Sequence, residues 1–206
     1  MSDLPPGVVH RPAYLTPAAQ QALAEEIAAV IASAPLYVSA MPRTGQPMSV
    51  RMTNCGALGW MSDRDRGYRY EPRHPVTGAA WPPMPAVLLA AWNALTSYPK
   101  PPQACLVNVY DAEARMGLHQ DRDETDFEAP ILSISLGADC RFRIGGTKRG
   151  GPTASLALSS GDALVIGGPA RLCFHGVDRI LPTLTPDLRL PEGAQRINLT
   201  LRRVDL

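Results

Sequence analysis

The second half of the chain repeats one pattern, a short β-type run followed by a turn. ACLVNVY (104–110), ILSISL (131–136), RFRIG (141–145), SLALS (155–159), ALVIGG (163–168), LCFHGV (172–177) and RINLTLRRV (196–204) are separated by Gly, Asp and Pro. Runs this short, rich in β-branched and aromatic residues and bounded by turn formers, favour strands over helices. Short strands joined by tight turns pair antiparallel and bury their apolar faces against a second layer. This predicts a β-sandwich or jelly roll, a double-stranded β-helix over 101–206.

The first hundred residues read differently. TPAAQQALAEEIAAVIAS (16–33) places Thr16 as N-cap, Pro17 at the first helical position and Leu23, Ile27, Val30 and Ile31 at helical spacing. A second helix is expected over Met84–Leu95, with Trp92 in the core. Between them, 39–83 is rich in Gly, Pro and Arg, with strand candidates at 48–53 and 68–70. The expected fold class is therefore α+β, mainly β. A single domain spans 1–206, with N-terminal helices and a hairpin-bearing lid (1–100) packed on the double-stranded β-helix core.

Composition removes several function classes. Lys and Arg number 20 against 19 Asp and Glu, a net charge of +1, so a nucleic-acid partner would have to be held by local patches. No apolar run approaches the roughly 18 residues of a membrane helix. The N-terminal MSDLPPGVVHRP has an acid where a signal peptide needs positive charge, so a cytoplasmic protein with no membrane partner is expected. Cys55, Cys105, Cys140 and Cys173 form no CxxC pair and read as small buried residues rather than zinc ligands.

Two of the four histidines sit in contexts that suit metal chemistry. In GLHQDRDE, His119 and Asp121 are two apart, so on an extended segment they point the same way while Gln120 turns aside. His175, in RLCFHGV, is 56 positions later on an expected strand. Two imidazoles and one carboxylate make the facial triad of non-haem iron(II) oxygenases, which leaves positions open for cosubstrate and oxygen. By themselves these residues also allow a chance HxD and a satisfied core histidine.

The last strand adds a carboxylate handle. Alternation puts Arg196, Asn198, Thr200 and Arg202 on one face and Ile197, Leu199 and Leu201 on the other. The two arginines are about 20 Å apart along the strand at ~3.3 Å per residue, before twist and side-chain length shorten the gap. They could grip the two ends of a small dicarboxylate, because the guanidinium fork suits carboxylates and never loses its charge. A solvated strand face is the alternative.

The residues then resemble a known family, the AlkB type of iron(II)/2-oxoglutarate dioxygenases, in its bacterial branch. The likeness runs through MSVRMTNCGALGW (48–60), GYRY (67–70), WPPMP (81–85), ACLVNVY (104–110), LHQDRDE (118–124), APILSISLG (129–137), GGTKR (145–149), GDALVIGG (161–168), RLCFHG (171–176) and RINLTLR (196–202). It implies His119, Asp121 and His175 as Fe(II) ligands and as the catalytic centre. Arg202 would lie on the 1-carboxylate side of 2-oxoglutarate and Arg196 on its 5-carboxylate, with Asn108, Tyr110 and Asn198 as further contacts. Trp60 matches an aromatic platform that sandwiches an extruded base against His119, and Asp123 an acid that reads an exocyclic amino group. Tyr68, Tyr70, Arg149 and Met52 match positions around base and phosphate. Trp60 as plain core is the alternative for that residue.

The activity implied is oxidative demethylation of N-alkylated bases such as N1-methyladenine and N3-methylcytosine, as in alkylation-damage repair. O2 and 2-oxoglutarate would be consumed, and formaldehyde, succinate and CO2 released. The partner implied is alkylated DNA, single-stranded by preference, with RNA as an alternative, and the enzyme would be a monomer. The segment 39–47 departs from the family pattern and a small insertion sits in 62–67, so backbone contacts there are open. Arg43, Arg51, Arg64, Arg66, Arg69 and Arg73 suit phosphates by sign, or form a solvated basic loop. The run 113–128 holds six acids and two arginines, so a divalent cation there would offset repulsion. Two rival classes share parts of the pattern: a ferrous dioxygenase acting on protein or a small molecule, and a non-catalytic jelly-roll binding module.

Overall fold

Alternation along the last strand organises the molecule, because it forces one side of the central sheet to be apolar and the other polar. The structure, a computed structural model, describes residues 4–181, 188–191 and 193–205, so Asp3 of the N-terminal stretch lies outside it. In chain order the elements are β1 (Val8–Arg11), α1 (Pro17–Ser33), β2 (Tyr37–Ala40), β3 (Pro47–Gly56), β4 (Gly59–Asp63), β5 (Gly67–Glu71), α2 (Ala86–Thr96) and β6 (Ala104–Tyr110). They continue with β7 (Met116–His119), β8 (Ile131–Gly137), β9 (Cys140–Ile144), β10 (Ala154–Leu158), β11 (Ala163–Ile166), β12 (His175–Ile180) and β13 (Arg196–Arg202).

A seven-stranded sheet, ordered β1-β11-β8-β13-β6-β3-β2, faces a four-stranded sheet, β10-β9-β12-β7. Every pairing is antiparallel, and β4 and β5 form a separate hairpin. The double-layered jelly roll expected from the short runs is therefore present. Strands β1, β2 and β3, from the first hundred residues, complete the larger sheet at its two ends, so the N-terminal part shares hydrogen bonds with the core.

Ile197, Leu199 and Leu201 of β13 join Val107 and Val109 of β6 and Ile134 and Leu136 of β8 in one apolar cluster with Leu23, Ile27, Leu88 and Trp92 of the two helices. Trp92 is fully buried, as expected of a core residue of this helix. Between the sheets a second cluster gathers Tyr110, Ile131, Phe142, Ile144, Leu164, Ile166 and Val177. At ~25 cal/mol per Å² these two clusters are the main favourable term in the fold. All four cysteines are buried and free.

Thr16 caps α1 by accepting the Ala19 amide at 3.3 Å, as expected. Helix α2 starts two residues later than the expected Met84. Met84 precedes a proline, which pushes its backbone out of the helical region, and Pro85 becomes the extended cap residue. Among the described residues no helix is long and apolar enough to cross a membrane.

Candidate active site

Antiparallel register brings the distant histidines together. β12 runs against β7 with His175 directly opposite His119, and the ring centroids are 4.6 Å apart. The pairing shifts by a bulge between His175 and Val177. Gly176 makes this close approach possible: a Cβ there would lie 2.5 Å from the Met116 carbonyl oxygen and 2.8 Å from that of Gly117. Gly176→Ala should therefore push β7 away from β12. We expect its Mn(II) affinity, read by titration, to fall about tenfold or more, as when groups that orient metal ligands are disturbed.

Asp121 follows β7 in irregular backbone, and its carboxylate lies 3.7 Å from Nε2 of both His119 and His175. The ligand atoms of these three residues are all within 4.8 Å of one another, the only such cluster among the described residues. Each histidine turns its Nδ1 to a backbone carbonyl, His119 to Gly117 at 2.9 Å and His175 to Cys173 at 3.0 Å. Those bonds place the proton on Nδ1 and leave an Nε2 lone pair facing the centre, the tautomer a metal ion requires. Burial, with His119 alongside, holds the His175 imidazolium down to about 4, so the ring stays neutral. For Asp121, burial opposes ionisation, but Arg202, His175, His119 and Arg171 together hold its carboxyl well below the usual range. An anionic, two-imidazole donor set of this kind fits a divalent transition metal.

The polar face of β13 supplies the floor. Arg196, Asn198, Thr200 and Arg202 point between the sheets, opposite Tyr110, Asn108, Leu106 and Ala104 of β6. Arg196 is completely buried. It donates to the carbonyls of Ala138 (2.8 Å) and Leu158 (3.2 Å) and to Ser135 Oγ (2.6 Å), while its Nε has no partner. Among the described residues no carboxylate pairs with it. Asn108 Oδ1 is likewise buried without a partner, and rotating that amide by half a turn would present a donor instead. Tyr110 has only a 4.0 Å contact to the Met116 sulfur, and burial raises its hydroxyl pKa so that it keeps its proton. Unsatisfied buried donors around an uncompensated arginine are what a bound carboxylate would satisfy.

Arg202 is already paired with a carboxylate of the protein itself. Its fork lies on Asp121, Nη2 to Oδ1 at 2.8 Å and Nε to Oδ2 at 3.3 Å. Asn198 donates to Ser133 Oγ at 2.6 Å and accepts from Thr200 at 2.8 Å.

The β4–β5 hairpin overhangs this centre. Trp60 and Tyr70 are cross-strand partners, and each is tied to the segment after Asp121. Trp60 Nε1 donates to Asp123 Oδ2 at 2.8 Å, and the Tyr70 hydroxyl donates to Glu124. Tyr68, half exposed, stacks on Trp60 with centroids 5.6 Å apart. Arg149 is exposed, its guanidinium 4.8 Å over Phe174. Met52 is fully buried on β3, accepting the Ser39 hydroxyl at 3.2 Å. Of the six lid arginines, Arg66 and Arg69 are already neutralised by Asp63 and Glu71.

Two buried residues received no role from the sequence. Arg171 pairs with Glu124 at 3.1 Å, and Glu124 also lies 3.5 Å from Arg202. Both stand inside the quoted motifs, yet nothing in a sequence indicates that charges 47 positions apart are neutralised by each other. The acids around Asp121 are thus offset internally by arginine, besides whatever a cation would add.

Comparison with known proteins agrees with this geometry. The family described as the 2OG-Fe(II) oxygenase superfamily matches residues 7–202. An alpha-ketoglutarate-dependent dioxygenase AlkB homolog from Caulobacter vibrioides is 54% identical over 198 residues, covering 96% of this chain and 88% of that protein. The alpha-ketoglutarate-dependent dioxygenase AlkB of Escherichia coli is 43% identical over 166 residues, 77% of this chain and 73% of that one. The solved structure of OsALKBH1 superposes with a TM-score of 0.79 at 30% identity, covering 98% of this chain and 99% of that chain. About half of the chain also aligns with a DNA N(6)-methyladenine demethylase of Arabidopsis thaliana and a tRNA demethylase of Schizosaccharomyces pombe, at 40% and 33% identity.

Proposed function

This chain belongs to the 2OG-Fe(II) oxygenase superfamily, in its bacterial AlkB branch, and from that premise we propose that it removes alkyl groups oxidatively from the ring nitrogens of nucleobases. The observation that carries the substrate reading is the Trp60–Asp123 hydrogen bond. It fixes an aromatic ring and a carboxylate together, two residues beyond the Asp121 ligand. An extruded base needs a π-face to stack on, worth about 1–3 kcal/mol, and a polar group to read its edge.

His119, Asp121 and His175 would hold iron(II), and Asn108, Tyr110, Arg196 and Asn198 the 2-oxoglutarate, with Arg202 between Asp121 and the cosubstrate's 1-carboxylate. Bound there, iron(II), 2-oxoglutarate and dioxygen supply the oxidation that turns an N-methyl into an N-hydroxymethyl group, lost as formaldehyde, with succinate and CO2 as coproducts. The protein's own contribution is positional. Arg202 keeps Asp121 anionic and aimed at the two Nε2 atoms. Arg196 and Tyr110 would offer donors to the cosubstrate's far carboxylate, so that the dicarboxylate is held at both ends.

Trp60 and Tyr68 would bracket the entry to the base slot, with Tyr68 giving way as the base stacks, and His119 would close its far side. One oxygen of Asp123 orients Trp60 and the other remains for an exocyclic amine. Arg149, Tyr70 and Met52 would line the base and phosphate surroundings. The exposed Arg43 and Arg64 suit a phosphate backbone. We read the substrate as single-stranded alkylated DNA, with RNA as an alternative, and the enzyme as a cytoplasmic monomer of one domain, 1–206.

Incubating the chain with iron(II), 2-oxoglutarate, ascorbate and oligonucleotides bearing N1-methyladenine or N3-methylcytosine should release formaldehyde and lower the base mass by one methylene. Succinate without demethylation would reassign the substrate, and no turnover would overturn the reading. Both of these lesions are cations, so Asp123 should favour them by charge. Asp123→Ala should cost about tenfold more on them than on a neutral alkylated base, since a hydrogen bond to a charged group is worth about 1.5–3 kcal/mol. Equal losses on cationic and neutral lesions would refute that role. Asp123→Asn, which still accepts from Trp60, separates charge from ring orientation.

A further inference from the structure

Asp121 has no strand to hold it, since β7 ends at His119 and β12 begins at His175. Its carbonyl oxygen is instead held by Arg171, whose Nη1 donates to it at 2.7 Å. The same guanidinium donates through Nε to the Ala129 carbonyl at 2.8 Å and through Nη2 to Glu124 Oε2 at 3.1 Å. One planar group thus fixes three points of the segment 121–129 from the segment that leads into His175. Gln120 strengthens the tie by donating to the Leu172 carbonyl at 2.6 Å.

Arg171 and Glu124 are both buried, and the Phe127 ring lies 5.5 Å from the guanidinium carbon. Glu124 also reaches Arg202, 3.5 Å away, and Arg202 in turn grips the Asp121 carboxylate. Arg171 therefore fixes Asp121 twice, its backbone directly and its carboxylate through Glu124 and Arg202.

We propose that Arg171 is the positioning residue of the metal centre: it fixes the spacing of Asp121 and His175 so that the three ligand atoms converge before any ion arrives. The proposal rests on the reading of His119, Asp121 and His175 as the metal site. A lysine cannot replace it, because a single ammonium cannot make three in-plane bonds to two carbonyls and a carboxylate. Groups that orient metal ligands typically carry 10–100-fold in affinity.

The test is Mn(II) binding by equilibrium titration and electron paramagnetic resonance, without cosubstrate, on the full chain and on Arg171→Lys and Arg171→Ala, well below each melting temperature. The native chain should bind one ion. Both variants should bind about 10–100-fold more weakly with an altered Mn(II) signal, and millimolar guanidinium should partly restore Arg171→Ala. A residue that merely supports the fold would lower the melting temperature and leave the affinity of the folded protein intact. Unchanged Mn(II) affinity in Arg171→Lys would overturn the proposal, and that variant decides the matter if Arg171→Ala does not fold. Failure of the native chain to bind Mn(II) would instead remove the metal site itself, and this role with it.

Discussion

His119→Ala should lower formaldehyde release by about a thousandfold or more, beyond the 10–100-fold carried by groups that only orient a ligand. It should do so with little change in thermal stability. His119 is partly exposed, and the hydrogen bond its imidazole makes, to the Gly117 carbonyl, is worth about 1 kcal/mol. Asp121→Ala would be as damaging to turnover but less informative. Asp121 is the bidentate partner of a buried arginine, and removing one member of a buried pair costs about 3–5 kcal/mol, so that variant would lose stability as well as metal. Measured side by side, the two should be equally inactive but melt several degrees apart. A His119→Ala enzyme that kept activity within tenfold of the native one would remove the metal assignment.

Arg196→Met should produce a split of a different kind. The native side chain is wholly buried, with three neutral acceptors and an unpartnered Nε. The desolvation cost of an unpaired buried charge, several kcal/mol, is of the same order as what those three bonds return. Melting of the cosubstrate-free protein should therefore change by no more than about 1–2 kcal/mol, because these two contributions nearly cancel. Cosubstrate binding should collapse. Truncating one side of a buried charge pair costs about 2–5 kcal/mol, a rise in the KM for 2-oxoglutarate of about 30-fold or more. The rise in melting temperature on adding 2-oxoglutarate, present in the native chain by mass action, should vanish. An Arg196→Met chain with unaltered KM would assign the 5-carboxylate to another residue.

The two arginines of the last strand are used differently, Arg202 on carboxylates and Arg196 on neutral acceptors. From the sequence they look equivalent, two guanidiniums on one strand face. In the fold Arg202 is already paired with Asp121 and Glu124, whereas Arg196 is paired with no carboxylate among the described residues. Alternation is a local property, and it gave the face correctly. Charge compensation depends on which neighbours share the same low-dielectric space, and those of Arg202 come from the segment after β7 and from the hairpin.

The lid shows the same limit. Six arginines between 43 and 73 suggest a phosphate-binding surface by sign, yet Asp63 and Glu71 of the same hairpin neutralise Arg66 and Arg69. The strand β4 itself was not separable from loop, because Gly59–Asp63 has little β-branched character and becomes a strand by pairing with β5. Conversely, β6 matched its expected run residue for residue, since seven consecutive buried positions leave no solvent face to blur its ends.

The sequence by itself determined the strand class of the second half, the first helix with its cap, the face of β13 that turns inward and the candidates His119, Asp121 and His175. Each follows from an interaction whose range is a few residues: steric preference, hydrogen-bond capping or side-chain periodicity. Only the tertiary structure decided that His175 lies opposite His119, that Gly176 permits it, and that Arg171 and Glu124 hold the loop bearing Asp121. Those depend on strand register and on charges made strong by burial, and both arise only when segments some 50 residues apart are packed against one another.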